Sequence, residues 1–153
     1  MAVKVWNVGD VLTAADMNAW TVPIEAAKAS GTTRTTTTLA TDPDLQITLA
    51  ANAAYDISCI VSYNTGANGV NSTFVIPSGA SAAMVTYNGP GGQGAGNWTG
   101  TMVFNSSTTG SILYIGRITT TNSGTLGYQW ASNTGATSLT INTNSFLRAD
   151  RVG

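Results

Sequence analysis

Side chains that could carry out acid–base, nucleophilic or metal chemistry are few in this chain. Its 153 residues include seven Asp and Glu, six Lys and Arg, one Cys and no His. Without His, neither a Ser-His-Asp nor a Cys-His arrangement can be built. Two carboxylates alone can hydrolyse a glycosidic bond, and they need not be close in sequence, but nothing in the spacing favours that reaction. We therefore expect a protein that is not an enzyme and that uses no cofactor.

Asp42, Asp44 and Asp56 are carboxylates that could bind a hard cation such as Ca²⁺. Their spacing matches no Ca²⁺-binding loop, and a turn before the next strand explains Asp42 and Pro43. Cys59 alone forms neither a disulfide nor a metal site. We expect no metal site, and we expect Cys59 to be a small buried residue on a strand.

The low charge content is the most unusual property of the composition. Between Asp56 and Arg148 the chain carries one charged residue, Arg117, and charged residues make up 8% of the sequence against about a quarter in ordinary domains. The hydrophobic fraction of 42% is near normal, so the chain is not expected to be disordered. A net charge of −1 gives no basic face for nucleic acid. It also gives little repulsion between copies, which favours an oligomer.

No segment of the sequence predicts a membrane location. The N-terminal residues have no apolar signal-peptide core. No run approaches the roughly 20 consecutive apolar residues that a membrane-spanning helix needs. We expect the protein to be made in a cytoplasm and to act there, or in whatever it is assembled into.

Charged residues crowd the first quarter of the chain, which predicts an N-terminal arm over residues 1–32 and a β-domain over residues 33–153. Thr13 with Asp16 forms a variant of the capping box, which predicts a helix over about residues 14–21. Pro23 ends that helix and can begin a second one that runs through about Ala29. Both helices are too short to be stable alone.

The arm carries a large set of apolar side chains for its length. Because short helices need tertiary contacts, these side chains must pack either on the β-domain of the same chain or on a partner subunit. The candidate docking residues are Trp6, Val8, Val11, Leu12, Met17 and Trp20.

From Arg34 onward apolar residues recur with period two, which is typical of β-strands. Eight to ten short strands separated by Gly-containing turns predict a mainly β fold, an antiparallel sandwich or barrel. Tyr55, Cys59 and Tyr63 are expected on one face of the longest early strand. The predicted strands cover residues 34–39, 45–49, 54–63, 72–76, 83–87, 98–104, 111–119, 126–131, 138–141 and 146–152.

A glycine-rich run interrupts these strands at residues 89–96. It lacks the Lys-Ser/Thr of a phosphate-binding loop, so we expect a mobile connection, with a surface recognition loop as the alternative. The candidate recognition residues are Gly89, Pro90, Gly91, Gly92, Gln93 and Gly94. The strand aromatics are expected in the core, with subunit interfaces and glycan stacking as alternatives; they are Tyr87, Trp98, Tyr114, Tyr128 and Trp130.

Both ends of the chain resemble structural proteins of tailed phages. Residues 8–18, VGDVLTAADMN, are similar to the opening aGdvLtAadmN of that group. Residues 124–131, GTLGYQWA, and 145–152, SFLRADRV, resemble its closing strands, and residues 50–63 fit its central pattern. The resemblance implies a virion protein with a jelly-roll-like domain, commonly trimeric, that is mounted through its N-terminal arm.

We therefore predict a capsid decoration or minor capsid protein of a tailed phage. It would assemble in the host cytoplasm as a homotrimer on the capsid exterior, with its arms docked on the major capsid protein. The alternative is a tail or head-fibre module that binds host glycan through the 89–96 loop and exposed aromatics.

Overall fold

A computed structural model describes residues 7–11, 13–14, 22–65, 69–88, 92–96, 98–104, 109–135 and 137–152. Secondary structure in these ranges is almost all β-strand, and they contain no helix long and apolar enough to cross a membrane. In chain order the strands are β1 (Ile24–Ala27), β2 (Thr32–Arg34), β3 (Ala40–Leu49), β4 (Ala53–Thr65), β5 (Val70–Val75), β6 (Ser81–Asn88), β7 (Gly92–Gly96), β8 (Met102–Phe104), β9 (Gly110–Thr120), β10 (Gly124–Ser132), β11 (Leu139–Ile141) and β12 (Phe146–Arg151).

The strands form two antiparallel sheets. The larger sheet has the order β1-β12-β4-β9-β6-β7, and β11 joins it by pairing with β4 and β2. The smaller sheet has the order β3-β10-β5-β8. The Tyr114 ring on β9 lies 5.2 Å from that of Phe74 on β5 and 5.7 Å from that of Tyr128 on β10, so the two sheets face each other. The predicted antiparallel β-sandwich is confirmed.

The core fills the space between the sheets because successive side chains of a strand point to opposite faces. On β4, Tyr55, Cys59 and Tyr63 are all buried, as the alternation predicts. Across the core, β3 contributes Leu45 and Leu49, which have no exposed surface. Aromatic rings in edge-to-face contact occupy the centre; they belong to Phe74, Trp98, Tyr114 and Tyr128.

Three predicted elements are wrong. Pro23 does not begin a second helix, because Ile24–Ala27 is an edge strand that pairs with β12 in the register Ile24↔Ala149. Residues 92–96 are not part of a loop, because Gly92–Gly96 pairs antiparallel with β6. The strand predicted at 34–39 is not formed, because β2 ends at Arg34 and β3 begins at Ala40. The strand predicted at 98–104 shrinks to Met102–Phe104, and the other predicted strands are found within about five residues of their expected limits.

We expect the domain to unfold as the pH rises past about 10. Burial raises the pKa of the Tyr114 and Tyr128 phenols and of the Cys59 thiol. Since the unfolded chain releases these protons more readily, the stability they confer is complete below the unfolded pKa values, about 8.5 for Cys and about 10 for Tyr. That stability is lost as the pH rises above these values.

The measurement is the ultraviolet absorbance of tyrosinate, followed together with the far-ultraviolet circular dichroism of the strands. Ionisation of Tyr114 and Tyr128 should coincide with loss of the β signal, and Cys59 should react with a thiol reagent in the same pH interval. If all five tyrosines ionise while the β signal is intact, ionisation of Tyr114 and Tyr128 does not unfold the domain and the prediction is wrong.

Candidate assembly surfaces

The described start of the arm is a tight turn that leaves apolar side chains in solvent. The amide of Asp10 donates to the carbonyl of Asn7 at 3.0 Å, and the amide of Asn7 donates to the Asp10 carboxylate at 2.8 Å. Gly9 has a φ of 102°, which the third position of a type II turn requires and which favours glycine. Val8 and Val11 beside the turn are 108% and 78% exposed. Within the part of the chain that the structure describes, these two valines therefore have no packing partner.

The other candidate docking residues lie outside the described residues. They are Trp6, Leu12, Met17 and Trp20. Ala14 is described as helical and directly follows Thr13, the predicted N-cap. The remainder of the first predicted helix is not described, so the helical arm stays a prediction.

A buried ion pair between Lys28 and Asp42 lies where the chain passes from the N-terminal arm into the sandwich. Lys28 follows β1, and its ammonium donates to both oxygens of the Asp42 carboxylate at 2.9 Å, to Asp44 at 3.2 Å and to the Thr32 hydroxyl at 2.8 Å. The Lys28 and Asp42 side chains have no exposed surface. A buried charge is tolerated only when it is paired and hydrogen-bonded. Separating Lys28 from Asp42 would therefore cost free energy, so this ion pair holds the end of β1 against β3.

Asp42 occupies an irregular segment of β3. The register with β10 passes from Thr41↔Gln129 to Gln46↔Gly127, so residues 42–45 bulge out of the ladder. The Asp42 carboxylate accepts bonds from the amides of Asp44 and Leu45, which is the expected Asp turn placed inside a strand, and from the indole of Trp130 at 2.8 Å. Each carboxylate oxygen is engaged, so we assign Asp42 a structural role.

Arg34 closes the same region from the outside. Its guanidinium lies 4.1 Å from the centroid of the Trp130 ring, a cation–π contact. It also donates to the carbonyls of Ala40, Thr41 and Trp130. We name Lys28, Arg34, Asp42 and Trp130 the entry cluster. Sequence reasoning found Asp42 but missed this cluster, because the distances along the chain between its members carry no signal.

The remaining carboxylates of β4 and β12 are paired with arginines at the surface. Asp56 accepts two bonds from Arg117, and Asp150 accepts from Arg148. The hydrogen bond from Arg117 holds the pKa of Asp56 below its usual range, so this carboxylate is no proton donor near neutral pH. Among the described residues no group of three His, Cys, Asp or Glu could hold a metal ion.

The outer face of the larger sheet carries a contiguous set of apolar side chains. One cross-strand row runs Phe146–Ile60–Leu113–Tyr87. In the next row Val85 and Ile115 are in register, and that row continues through Ser58 to Arg148. Val85, Tyr87 and Ile115 are 40 to 46% exposed. We name these six residues the outer apolar face. A signal for it is present in the sequence: Ile112–Ile115 is apolar at four consecutive positions, so both faces of β9 are apolar.

The candidate recognition segment is not brought together as predicted. Gly89, Pro90 and Gly91 lie outside the described residues, whereas Gly92, Gln93 and Gly94 belong to edge strand β7. The five strand aromatics differ in their exposure. Trp98, Tyr114, Tyr128 and Trp130 are fully buried, and Tyr87 is 40% exposed. The four buried rings confirm the expected core placement and leave Tyr87 as the member of this set that could stack on a sugar.

No family model and no curated protein matches the chain in sequence. Among solved structures, one of infectious bursal disease virus, Gx strain, is similar to this chain with a TM-score of 0.23 and 13% identity. The match covers 86% of this chain and 36% of the other, so the chain spans about a third of that length. A likeness at this TM-score carries no argument about function, and the assignment of function rests on the surfaces described above.

Proposed function

We propose that this protein is a structural component of a tailed-phage particle, a decoration or minor capsid protein that acts by binding rather than by catalysis. Homotrimers sit on the capsid exterior, and each N-terminal arm docks on the major capsid protein. The resemblance of residues 8–18 and of the closing strands to tailed-phage structural proteins supports this function. So does a sandwich whose polar surface is built mainly from Thr, Ser, Asn and Gly rather than from charges.

The exposure of Val8 and Val11 is the observation that carries the proposal. The core cluster of the described residues includes neither of these side chains. Burying the exposed apolar surface of these side chains against a partner would contribute about 25 cal/mol of favourable free energy per Å². Of the two packing alternatives for the arm, its described part therefore favours a partner subunit.

The proposed mechanism is cementing of neighbouring shell subunits. Each arm alone buries little area and binds weakly. Three arms on one trimer convert the second and third binding events into intramolecular ones, which raises the overall affinity without any new contact. A trimer bound across a junction between shell subunits then resists their separation.

Deleting residues 1–21 should abolish binding to purified capsids and leave the domain folded. The deletion stops before β1, because removing residues 1–30 would also remove Lys28 and leave Asp42 buried without its cation. The measurement is co-sedimentation with capsids, alongside thermal unfolding of the free protein. Trp20→Ala should weaken the same binding through the undescribed part of the arm.

A matched pair of variants separates the arm from a general effect of surface charge. Val8→Asp with Val11→Asp should lose capsid binding, whereas Val75→Asp with Val103→Asp, at two exposed valines of the smaller sheet, should retain it. If the truncated chain still decorates capsids with wild-type affinity, docking through the arm is wrong.

The glycan-binding alternative depends on aromatic platforms, and the structure leaves Tyr87 of the five strand aromatics exposed. We therefore favour assembly over host recognition. Saccharide binding on a glycan array that disappears in Tyr87→Ala would reverse that preference.

A further inference from the structure

We propose that Lys28 and Asp42 react with each other to form an isopeptide bond that ties the end of β1 to β3. The inference goes beyond the proposed function and does not depend on it, since the reaction needs only side chains of the folded chain. The Lys28 ammonium lies 2.9 Å from both oxygens of the Asp42 carboxylate, and neither side chain has exposed surface. The entry cluster therefore holds an amine against a carboxyl group, out of contact with bulk water.

The two groups are close enough to react. Lys28 Nζ is 2.9 Å from each Asp42 oxygen, so the Cγ carbon bonded to both oxygens lies within ~3.5 Å of Nζ, the separation of near-attack conformers. The two sheets fix this position, because β1 pairs with β12 in the larger sheet and β3 pairs with β10 in the smaller one. Folding has thus already removed the translational and rotational freedom that two separate reactants would lose.

Burial of the pair favours the bonded product. The reaction converts a buried cation and a buried anion into one neutral amide, which removes the desolvation penalty that both charges carry in the interior. Because neither Lys28 nor Asp42 has exposed surface, bulk water is excluded from the bond and does not hydrolyse it. The other two aspartates paired within strands, Asp56 and Asp150, lie in solvent and contact arginines, whose guanidinium stays protonated and is no nucleophile.

Asp44 supplies the proton carrier that the reaction needs. Its carboxylate lies 3.2 Å from Lys28 Nζ, and its side chain is 27% exposed, so Asp44 contacts the amine and also gives the released water a route to solvent. The three protons of the ammonium face three acceptors, which are Asp42, Asp44 and the Thr32 hydroxyl at 2.8 Å. The first proton moves to Asp42, Asp44 takes the second as nitrogen attacks, and the third stays on the amide nitrogen.

The bond changes balance without any further reactant. The Nζ lone pair of Lys28 forms a bond to Cγ of Asp42, the Cγ–Oδ2 bond breaks, and Oδ2 leaves as water with the two protons that came from the ammonium. Negative charge that develops on Oδ1 is stabilised by the amides of Asp44 and Leu45 at 3.0 and 3.3 Å, as in an oxyanion hole. The indole of Trp130 donates to Oδ2 at 2.8 Å and polarises the bond that breaks.

The test is the mass of the intact, denatured chain, followed over time after cell-free synthesis of the full protein. The isopeptide bond lowers this mass by one water molecule. The chain has two lysines, Lys4 and Lys28, so an amine reagent applied to the denatured protein should label Lys4 and leave Lys28 unlabelled. That second readout distinguishes the bond from dehydration elsewhere in the chain. Tryptic digestion should give one branched peptide that contains both Lys28 and Asp42.

Three variants, each checked for folding by circular dichroism, separate the roles of the groups. Lys28→Arg keeps the positive charge but removes the nucleophile, so its mass should show no loss of water. Asp44→Asn keeps the volume but removes the proton carrier, and it should slow bond formation roughly 100-fold, the lower end of what general acid–base catalysis contributes. Asp150→Asn, at a surface carboxylate paired with Arg148, is the matched control and should react at the wild-type rate.

Loss of one water molecule from the wild type, with Lys28 unlabelled and Lys28→Arg at full mass, would support the proposal. A folded wild type at full mass, whose Lys28 is labelled after denaturation, would overturn it and leave an ion pair only. Loss of water from Lys28→Arg would also overturn it, because another group must then have lost that water. Bond formation in Asp44→Asn at the wild-type rate would contradict the role given to Asp44. None of these results depends on capsid binding, so failure of the decoration role would leave this inference standing.

Discussion

Replacing Lys28 with Met should lower the free energy of unfolding by about 3 to 5 kcal/mol, the range found when one partner of a buried ion pair is removed. Met fills a similar space, so the loss comes from the charge and not from a cavity. The Asp42 carboxylate would remain with no exposed surface and without the cation that contacts both of its oxygens. The bonds from Trp130 and from the two backbone amides cannot neutralise it.

Urea denaturation of the free protein measures this effect, with Arg117→Met as the matched control. Arg117 also pairs with an aspartate, but in solvent, where ion pairs contribute little, so the control should unfold at the wild-type urea concentration. Adding Asp42→Asn to Lys28→Met should recover part of the loss, because the uncompensated charge is then gone. A Lys28→Met protein as stable as the control would show that the entry cluster does not hold β1 to β3.

The strands that sequence reasoning placed best are those with one fully buried face. On β4, five apolar or aromatic residues alternate with partly exposed ones, and a shift of one residue would turn the whole set into solvent. Burial of one face therefore determines the register of the strand, and it also produces the alternation of apolar residues from which the strand was predicted. The pairing of strands is not encoded in this way, so the sequence predicts a sandwich but not the order of its twelve described strands.

The helix predicted to begin at Pro23 is a strand in the structure, because tertiary contacts override the local helix preference. Pro at a first position followed by Glu25, two alanines and Lys28 has the composition of a helix. In the structure Ile24 and Ala26 instead pack on the core, and β12 supplies the backbone hydrogen bonds. Lys28 reaches Asp42 across the gap. None of these partners is near in sequence, so no local pattern could have predicted them.

The candidate surfaces were predictable to different degrees. The apolar content of the arm is visible in the sequence, but the exposure of Val8 and Val11 depends on what the sandwich already buries. The outer apolar face requires the register of four strands, which brings Phe146 next to Ile60 and Leu113. The loop predicted over residues 92–96 was wrong because glycine is rare in strands, whereas β7 is held by backbone pairing that needs no side chain.

Gly116→Ala should be the most damaging single-methyl change in the described part of the domain. A Cβ at this position of β9 would overlap the carbonyl oxygen of Ala83 on β6, and it would lie 2.7 Å from Cζ2 of the buried Trp98 ring and 3.0 Å from Cα of Met84. A backbone atom cannot rotate aside, so β6 must shift from β9 or the indole must leave its site, whose walls include Phe74 at 4.5 Å between ring centroids. Overpacking of a core typically costs about 1 to 3 kcal/mol, and we expect this backbone clash to lie at the upper end of that range.

Gly135→Ala is the matched control, because nothing lies within 4 Å of its added Cβ, and it should unfold at the wild-type urea concentration. The sequence places Gly116 inside a predicted strand and Gly135 between two predicted strands, but it does not show which of them lacks room for a methyl group. Only the close approach of β6 and Trp98 distinguishes Gly116. Equal stability of the two variants would mean that the β6–β9 contact is looser than described. The outer apolar face would then lose its support, because Val85 and Ile115 are in register only through that contact.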